Sequence, residues 1–471
     1  MHPPIQLQYQ TIRESANTSC DLDISPAVIG WLGRILSERF GQHFRLSQSD
    51  SRFIVLSISG APSSIRIASD WGTFTRADSD LDYCEWDAVS EGWRAPLERP
   101  LPAPGAARLP SPLISKTSGG FTINYDFIGL AYWMMSRQEE VARTDLDSHG
   151  RFPATSSHAY KHGYLERPVI DEWMIILEQV VERLWPGLRL TRHQFEMRVS
   201  HDVDSPSRYG LSSPKQLLRS IAGDLIKRND YRNAMKAPLI WLQRGRKFHN
   251  RDPHNTFDWI MDLSERHALT SAFYFICGRT DPGRDANYDP EYPAIRLLMR
   301  RIHSRGHEIG LHPSYNTYQN PGAIALEAAR LKRICHEEGI EQHGWGGRMH
   351  YLRWQTPTTL YGWEEARMTY DSTLSYADRP GFRCGTCYEY PAFDPVAGRL
   401  LNLRIRPLIA MECTVIAAKY LNLGAGDAAQ EKFNHLKQAC RAVNGCFTLL
   451  WHNSRLNTNQ ERALYSNLLA R

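Results

Sequence analysis

Residues able to do chemistry gather at four places in the second half of this 471-residue chain. Ser200-His201-Asp202-Val203-Asp204 sets two carboxylates two positions apart, and in an extended strand both then point to the same side. His307 and His312 frame the run HEIGLH, Arg348 and His350 share GGRMHY, and His452 stands in LLWHN. Each run ends or follows a short apolar stretch with strand character. Two carboxylates, an arginine and several imidazoles on one rim make up a metal-assisted hydrolytic site. Taken singly, each residue reads equally as a loop residue or a helix cap. Four strand ends with the same chemistry weigh against that reading.

The elements that must position these residues alternate strand and helix. Strands are expected at Phe195–Asp202, Ser271–Ile276, His307–His312 and Cys446–Asn453, with shorter ones near Gly344–Met349, Met368–Asp371 and Leu401–Arg406. Between them, helices over Thr256–His267, Pro293–Arg305, Gly322–Glu338 and Asp427–Val443 repeat apolar residues at a period near 3.6, as in Ile295, Leu298, Met299 and Ile302. Gly306, Gly339 and Gly445 follow three of them as left-handed caps. Repeated βα units predict an α/β fold with about seven parallel strands, a (β/α) barrel that is distorted or incomplete, over 194–471. In such a barrel the chemistry sits at the C-terminal strand ends. Residues 1–190 read instead as an α+β accessory domain. They hold short apolar runs at Phe53–Gly60 and Ser64–Asp70, a proline-rich strap at Arg99–Pro112, a strand entering a buried helix at Gly119–Glu140, and a helix at Val169–Trp185.

The motifs SHDVDSP, GHEIGLHPSYNTY, GGRMHY and LLWHN, in this order, resemble those of the polysaccharide deacetylase superfamily, the NodB-type, family 4 carbohydrate esterases. The resemblance covers about 196–455. It implies a distorted (β/α) barrel, one divalent metal, often zinc, and hydrolysis of a non-peptide C–N bond in an acetamido sugar. Carried over by position, Asp202 is the general base, Asp204 and His312 are metal ligands, Arg348 orients the base and His452 is the general acid. The position of the family's second metal histidine is Asn316, a weaker ligand for zinc, which leaves His350, His307 or His201 as alternatives. Tyr315 and Asp371 are read as substrate-binding, Asp371 also as a partner for Arg348, and Trp451 as core packing.

Composition limits the rest. With 56 Lys and Arg against 51 Asp and Glu, the chain lacks the charge density of a dedicated nucleic-acid binder. Nine scattered cysteines argue against a disulfide framework, and Cys384-Gly-Thr-Cys387 is half a structural zinc site without a second pair, although Cys413 is not far on. No GxxxxGK[ST] loop supports nucleotide hydrolysis. Neither a signal peptide in Met1–Cys20 nor an apolar run of about 20 residues is seen, so a cytoplasmic protein is expected. Its substrate would then be a carbohydrate of surface-polysaccharide assembly, lipid-linked in one version. The basic insertion Ser205–Pro253, with an apolar stripe of Leu217, Leu218, Ile221 and Leu225, reads as a solvated lid, a surface for anionic lipid or lipid-linked sugar, or a nucleic-acid contact. Two rivals to the deacetylase remain: a non-catalytic protein of the same fold that binds a glycan or a partner, and a hydrolase of another C–N bond such as a cyclic amide.

Overall fold

A computed structural model describes residues 23–470 apart from 244 and 246. Met1–Cys20, Arg244 and Arg246 lie outside the described residues. The first half builds a five-stranded sheet from β1 (Phe44–Asp50), β2 (Phe53–Ile58), β3 (Ser64–Ala68), β6 (Ile114–Thr117) and β7 (Gly120–Ile123), in the order β1-β2-β3-β7-β6. The proline-rich stretch is not loop throughout. Leu101–Pro104 (β5) pairs antiparallel with Tyr83–Trp86 (β4), a two-stranded ribbon that tolerates proline because its outer edge needs no N–H donor. Helix Phe127–Met135 is buried along its whole length.

The second half carries one sheet of nine strands. These are β8 (Glu196–Val203), β9 (Ser271–Ile276), β10 (Glu308–His312), β11 (Gly346–Gly347), β12 (Tyr370–Asp371), β13 (Tyr390–Asp394), β14 (Arg399–Ile405), β15 (Ala410–Met411) and β16 (Cys446–Leu450). They are ordered β13-β14-β12-β11-β10-β9-β8-β16-β15. All neighbours pair in parallel except β13 on β14, which gives eight parallel strands among the described residues where about seven are expected from sequence. No ladder among the described residues joins β15 to β14. The chain nevertheless passes from Ile405 to Ala410 in five steps, at most about 18 Å, so the sheet must curl to bring its two ends near each other. The expected helices occur at Phe257–Arg266, Pro293–Ser304, Pro321–Glu337 and Asp427–Ala442, with their apolar rows buried. After the last, it is Asn444 and not Gly445 that takes positive φ.

Inside the curl, below the C-terminal strand ends, Tyr274 and Tyr370 meet hydroxyl to hydroxyl at 2.9 Å. Glycines make the room: a Cβ on Gly346 would lie 1.9 Å from the Tyr370 ring, and one on Gly310 2.4 Å from Tyr274.

The two halves share one continuous apolar core. Trp31 stacks on Phe393 at 4.8 Å and donates its indole N–H to the Pro391 carbonyl at 2.8 Å. Buried Glu140 accepts from both Arg137 and Arg383.

A buried histidine in the first half makes stability depend on pH. His158 has Nδ1 at 2.6 Å from the Tyr164 hydroxyl and Nε2 at 3.0 Å from the Leu81 carbonyl, an arrangement suited to a neutral ring. Burial, with His162 beside it, pushes its pKa down to about 4 from 6.5. Between these values the unfolded chain binds the proton more readily, so stability is full above about 6.5 and falls as pH drops toward 4, by up to about 3 kcal/mol. Urea unfolding at pH 7 and pH 5 should show this loss, and His158→Gln should have a shallower pH dependence than wild type.

Candidate metal centre and active site

Strand β8 delivers two carboxylates to the same end of the sheet, while Val203 between them turns into the core. Asp204 sits among three imidazoles. Its Oδ1 is 3.3 Å from His312 Nε2 and 3.8 Å from His350 Nε2, and its Oδ2 is 3.5 Å from His452 Nε2. Each ring is held from behind through Nδ1. His312 reaches the Arg348 carbonyl at 2.6 Å, His350 the Asp285 carboxylate at 3.0 Å, and His452 the Glu412 carboxylate at 2.6 Å. Such partners fix which nitrogen faces the centre.

Asp204 Oδ1 is buried and receives no hydrogen bond. A buried carboxylate oxygen without a hydrogen bond is costly, and a bound cation would offset that cost. The donor atoms of Asp204, His312 and His350 all lie within 4.8 Å of one another. Two imidazole nitrogens and a carboxylate oxygen form a donor set that suits zinc or a similar divalent ion and leaves coordination positions open. The residues present therefore fit a metal. Burial pushes the Asp204 carboxyl up, but His350, His312 and His452 outweigh it and hold the pKa far below the usual carboxylate range.

Beside this group lies Asp202, buried and 3.7 Å from His312 Nε2. Arg348, at the end of β11, donates from Nη1 to Asp202 at 2.8 Å, from Nη2 to the hydroxyls of Ser200 and Ser372, and from Nε to the Ser372 carbonyl. The guanidinium thus ties together the ends of β8, β11 and β12 and keeps one carboxylate oxygen fixed. On the other side, burial disfavours a charged His452, but the Glu412 carboxylate raises its pKa well above 6.5. Glu412 itself is lowered, against its burial, by that imidazole. Glu412, Cys413 and His452 also cluster closely enough to hold an ion, but the 2.6 Å hydrogen bond already engages His452 Nδ1 and Glu412.

Other residues singled out from sequence stand elsewhere. Asn316 is exposed, and its amide is engaged: Nδ2 donates to the Thr280 carbonyl at 3.2 Å, and Oδ1 accepts from Arg353 at 3.2 Å. Positions four apart share a face only within a helix. His312 ends a strand, Pro313 follows, and Asn316 precedes a 3-10 turn, so the two do not align; the group close enough to hold an ion is Asp204, His312 and His350. His201 points to the opposite side of β8, stacked on Phe273, and His307 lies at the start of β10 near Glu265, at the far end of the sheet. Asp371 is fully buried and accepts from the Thr373 amide and hydroxyl and from the Trp354 indole, while the Arg348 guanidinium donates to Asp202, Ser200 and Ser372 and not to Asp371. Burial pushes its pKa up to about 6. Tyr315 does border the centre, with its ring between Arg353 and Arg284 and its hydroxyl 2.9 Å from His149 Nδ1. Trp451 is fully buried. Cys384 and Cys387 are buried free thiols, and all described cysteines are free.

Four participants carry little sequence signal. Asp285 lies in the long loop after β9, and Glu412 follows a strand of only two residues. His149 comes from the first half of the chain, whose loop also sends Arg151 to the Tyr351 carbonyl at 2.8 Å. Tyr351 and Leu352 both adopt positive φ, 62° and 56°, directly after His350. This sharp corner, costing about 1–2 kcal/mol per residue, brings the Tyr351 ring within 4.7 Å of His350 and 5.0 Å of His149. A cleft of about 590 Å³ opens from Asp204 toward the 205–253 insertion.

A family described as of unknown function, DUF7033, matches residues 26–186. No curated protein matches the chain. Among solved structures, the chain is similar to a putative polysaccharide deacetylase from Mycobacterium smegmatis at 18% identity, covering 59% of this chain and 83% of that one with a TM-score of 0.36. It is similar to Puue allantoinase at 12% identity, with 60% and 85% covered and a TM-score of 0.34. A probable polysaccharide deacetylase from Pseudomonas aeruginosa PAO1 gives 15%, 60%, 85% and 0.33.

Proposed function

We propose that this protein is a metal-dependent hydrolase of a non-peptide carbon–nitrogen bond, and that it removes the acetyl group from an acetamido sugar. The observation that carries this reading is the unbonded buried oxygen of Asp204, faced by the Nε2 atoms of His312 and His350 and flanked by an Arg348–Asp202 pair and a Glu412–His452 pair. Held by Asp204, His312 and His350, a divalent ion such as zinc would supply Lewis acidity at the amide carbonyl. Asp202, aimed by the Nη1 of Arg348 at 2.8 Å, takes the proton from the attacking water. Glu412 accepts from His452 Nδ1–H, which leaves Nε2 of the protonated ring to hand its proton to the departing amine. The partly exposed rings of Tyr351 and His149 border the site and offer flat surface suited to a sugar ring, while Tyr315, held between Arg353 and Arg284, backs them.

The test is acetate release from N-acetylated sugars and oligosaccharides by metal-loaded protein, with Asp202→Asn as the inactive control. A metal-loaded protein that releases no acetate across the panel would refute the reading. On the substrate so found, Glu412→Gln should lower kcat by about two to four orders of magnitude, the range a general acid contributes. KM should change little, because Glu412 acts on the imidazole and not on the sugar. Steady-state kinetics of both proteins would measure the split.

A further inference from the structure

The insertion after β8 forms a helical hairpin, Pro214–Ile226 and Tyr231–Leu242. Its inner side is an ordinary small core in which Leu217 and Ile221 meet Ala237 and Ile240 over Tyr209. The outer side is not ordinary. Leu218, Ala222, Leu225 and Ile226 follow the spacing i, i+4, i+7, i+8, and Tyr231, Met235, Leu239 and Leu242 follow i, i+4, i+8, i+11, so each helix has a second apolar row. These rows face solvent: Leu218 is 69% exposed, Ile226 79%, Met235 76% and Leu242 72%.

Charge narrows what covers them. The hairpin holds six basic residues (Lys215, Arg219, Lys227, Arg228, Arg232 and Lys236) and two acidic ones. Both acids are consumed by the fold. Asp224 is buried under Arg208, Arg228 and the Tyr209 hydroxyl, and Asp230 caps the second helix through Asn233. Among the described residues, Lys215, Arg219, Lys227, Arg232 and Lys236 have no ion pair. The whole insertion carries eleven Lys and Arg against three Asp, while the full chain is only +5. A second copy docked by two-fold symmetry would press this cationic patch on itself. An anionic bilayer satisfies both features at once: apolar rows enter the acyl boundary while Lys and Arg meet lipid phosphates. The cleft that reaches Asp204 is also edged by arginines, Arg219 and Arg455 together with Arg208 and Arg228, which share Asp224, and Arg284, which pairs with Asp281.

We propose that the 214–242 hairpin docks this protein on the surface of an anionic bilayer, with the cleft of Asp204 opening beside the contact. The docking is independent of the reaction proposed above and is read without any activity. The full chain is sedimented with vesicles of phosphatidylcholine alone and with vesicles containing roughly one quarter phosphatidylglycerol. Binding to the anionic vesicles at least tenfold tighter than to the neutral ones, and weakened as salt rises from about 0.1 to about 0.5 M, is expected. The triple variant Ile226→Ser, Met235→Ser, Leu242→Ser should bind at least tenfold more weakly with an unchanged melting temperature, because these side chains are already in water. The variant Lys227→Gln, Arg232→Gln, Lys236→Gln should lose the preference for anionic vesicles. Failure of the wild type to sediment with either vesicle, or equal binding by both variants, overturns the proposal. So does light scattering that finds a wild-type dimer made monomeric by the apolar substitutions, since the rows then cover a second copy.

Discussion

Replacing His350 by Gln should lower the affinity for a divalent metal by at least about a hundredfold, while Asn316→Ala should leave it within about twofold. Three donors converge at this centre, and removing one of two imidazoles costs more than the ten- to hundredfold seen when only a supporting hydrogen bond is lost. Gln can offer an oxygen, but a softer imidazole nitrogen is the better partner for zinc. Asp285 supplies a graded companion. Asp285→Asn keeps the shape of the Asp285–His350 contact but weakens the hold on Nδ1, and it should fall between the two. Calorimetric titration with zinc of all four proteins gives the order directly. Equal losses in Asn316→Ala and His350→Gln would show that the loop carrying Asn316 rearranges to ligate, against the placement of its amide on Thr280 and Arg353.

The second large effect is on stability. Arg348→Met should cost about 3–5 kcal/mol, the range expected when one member of a buried ion pair is removed. Both side chains are almost wholly inaccessible, at 1% and 4% exposure, so Asp202 would lose its 2.8 Å partner in a dry site, with His312 standing 3.7 Å away. Against a typical total of about 5–15 kcal/mol this is a large share. The double variant Arg348→Met, Asp202→Leu should be less destabilised than the single one, because it removes the stranded charge as well as its partner. Urea unfolding of the three proteins tests this. A double variant worse than the single would mean that Arg348 acts chiefly through Ser200 and Ser372, as a clamp between strands.

Local pattern carried much of this protein. The apolar period of the helices at 257–266, 293–304 and 321–337 is a property of each segment alone, since one face must be buried whatever lies opposite. The alternation of Asp202, Val203 and Asp204 likewise follows from strand geometry, and so does the rule that Arg348, His312 and His452 meet where parallel strands end.

What lay beyond reach of local pattern was set by long-range packing. The resemblance puts Asn316 at a metal-ligand position beside His312, but a turn after Pro313 sends it outward, while His350 enters from a neighbouring strand end, 38 residues after His312. Glu412 follows a two-residue strand that exists only because β16 pairs with it. Asp285 gains its role from a loop folded back on His350, and His149 from a half of the chain that sequence alone assigns to a separate domain. The curl of the sheet is likewise collective, forced by a five-step passage from β14 to β15. Residue type and spacing select which groups can do chemistry. Which of them touch is decided by contacts between segments that are distant along the chain, and no periodicity within a segment records those contacts.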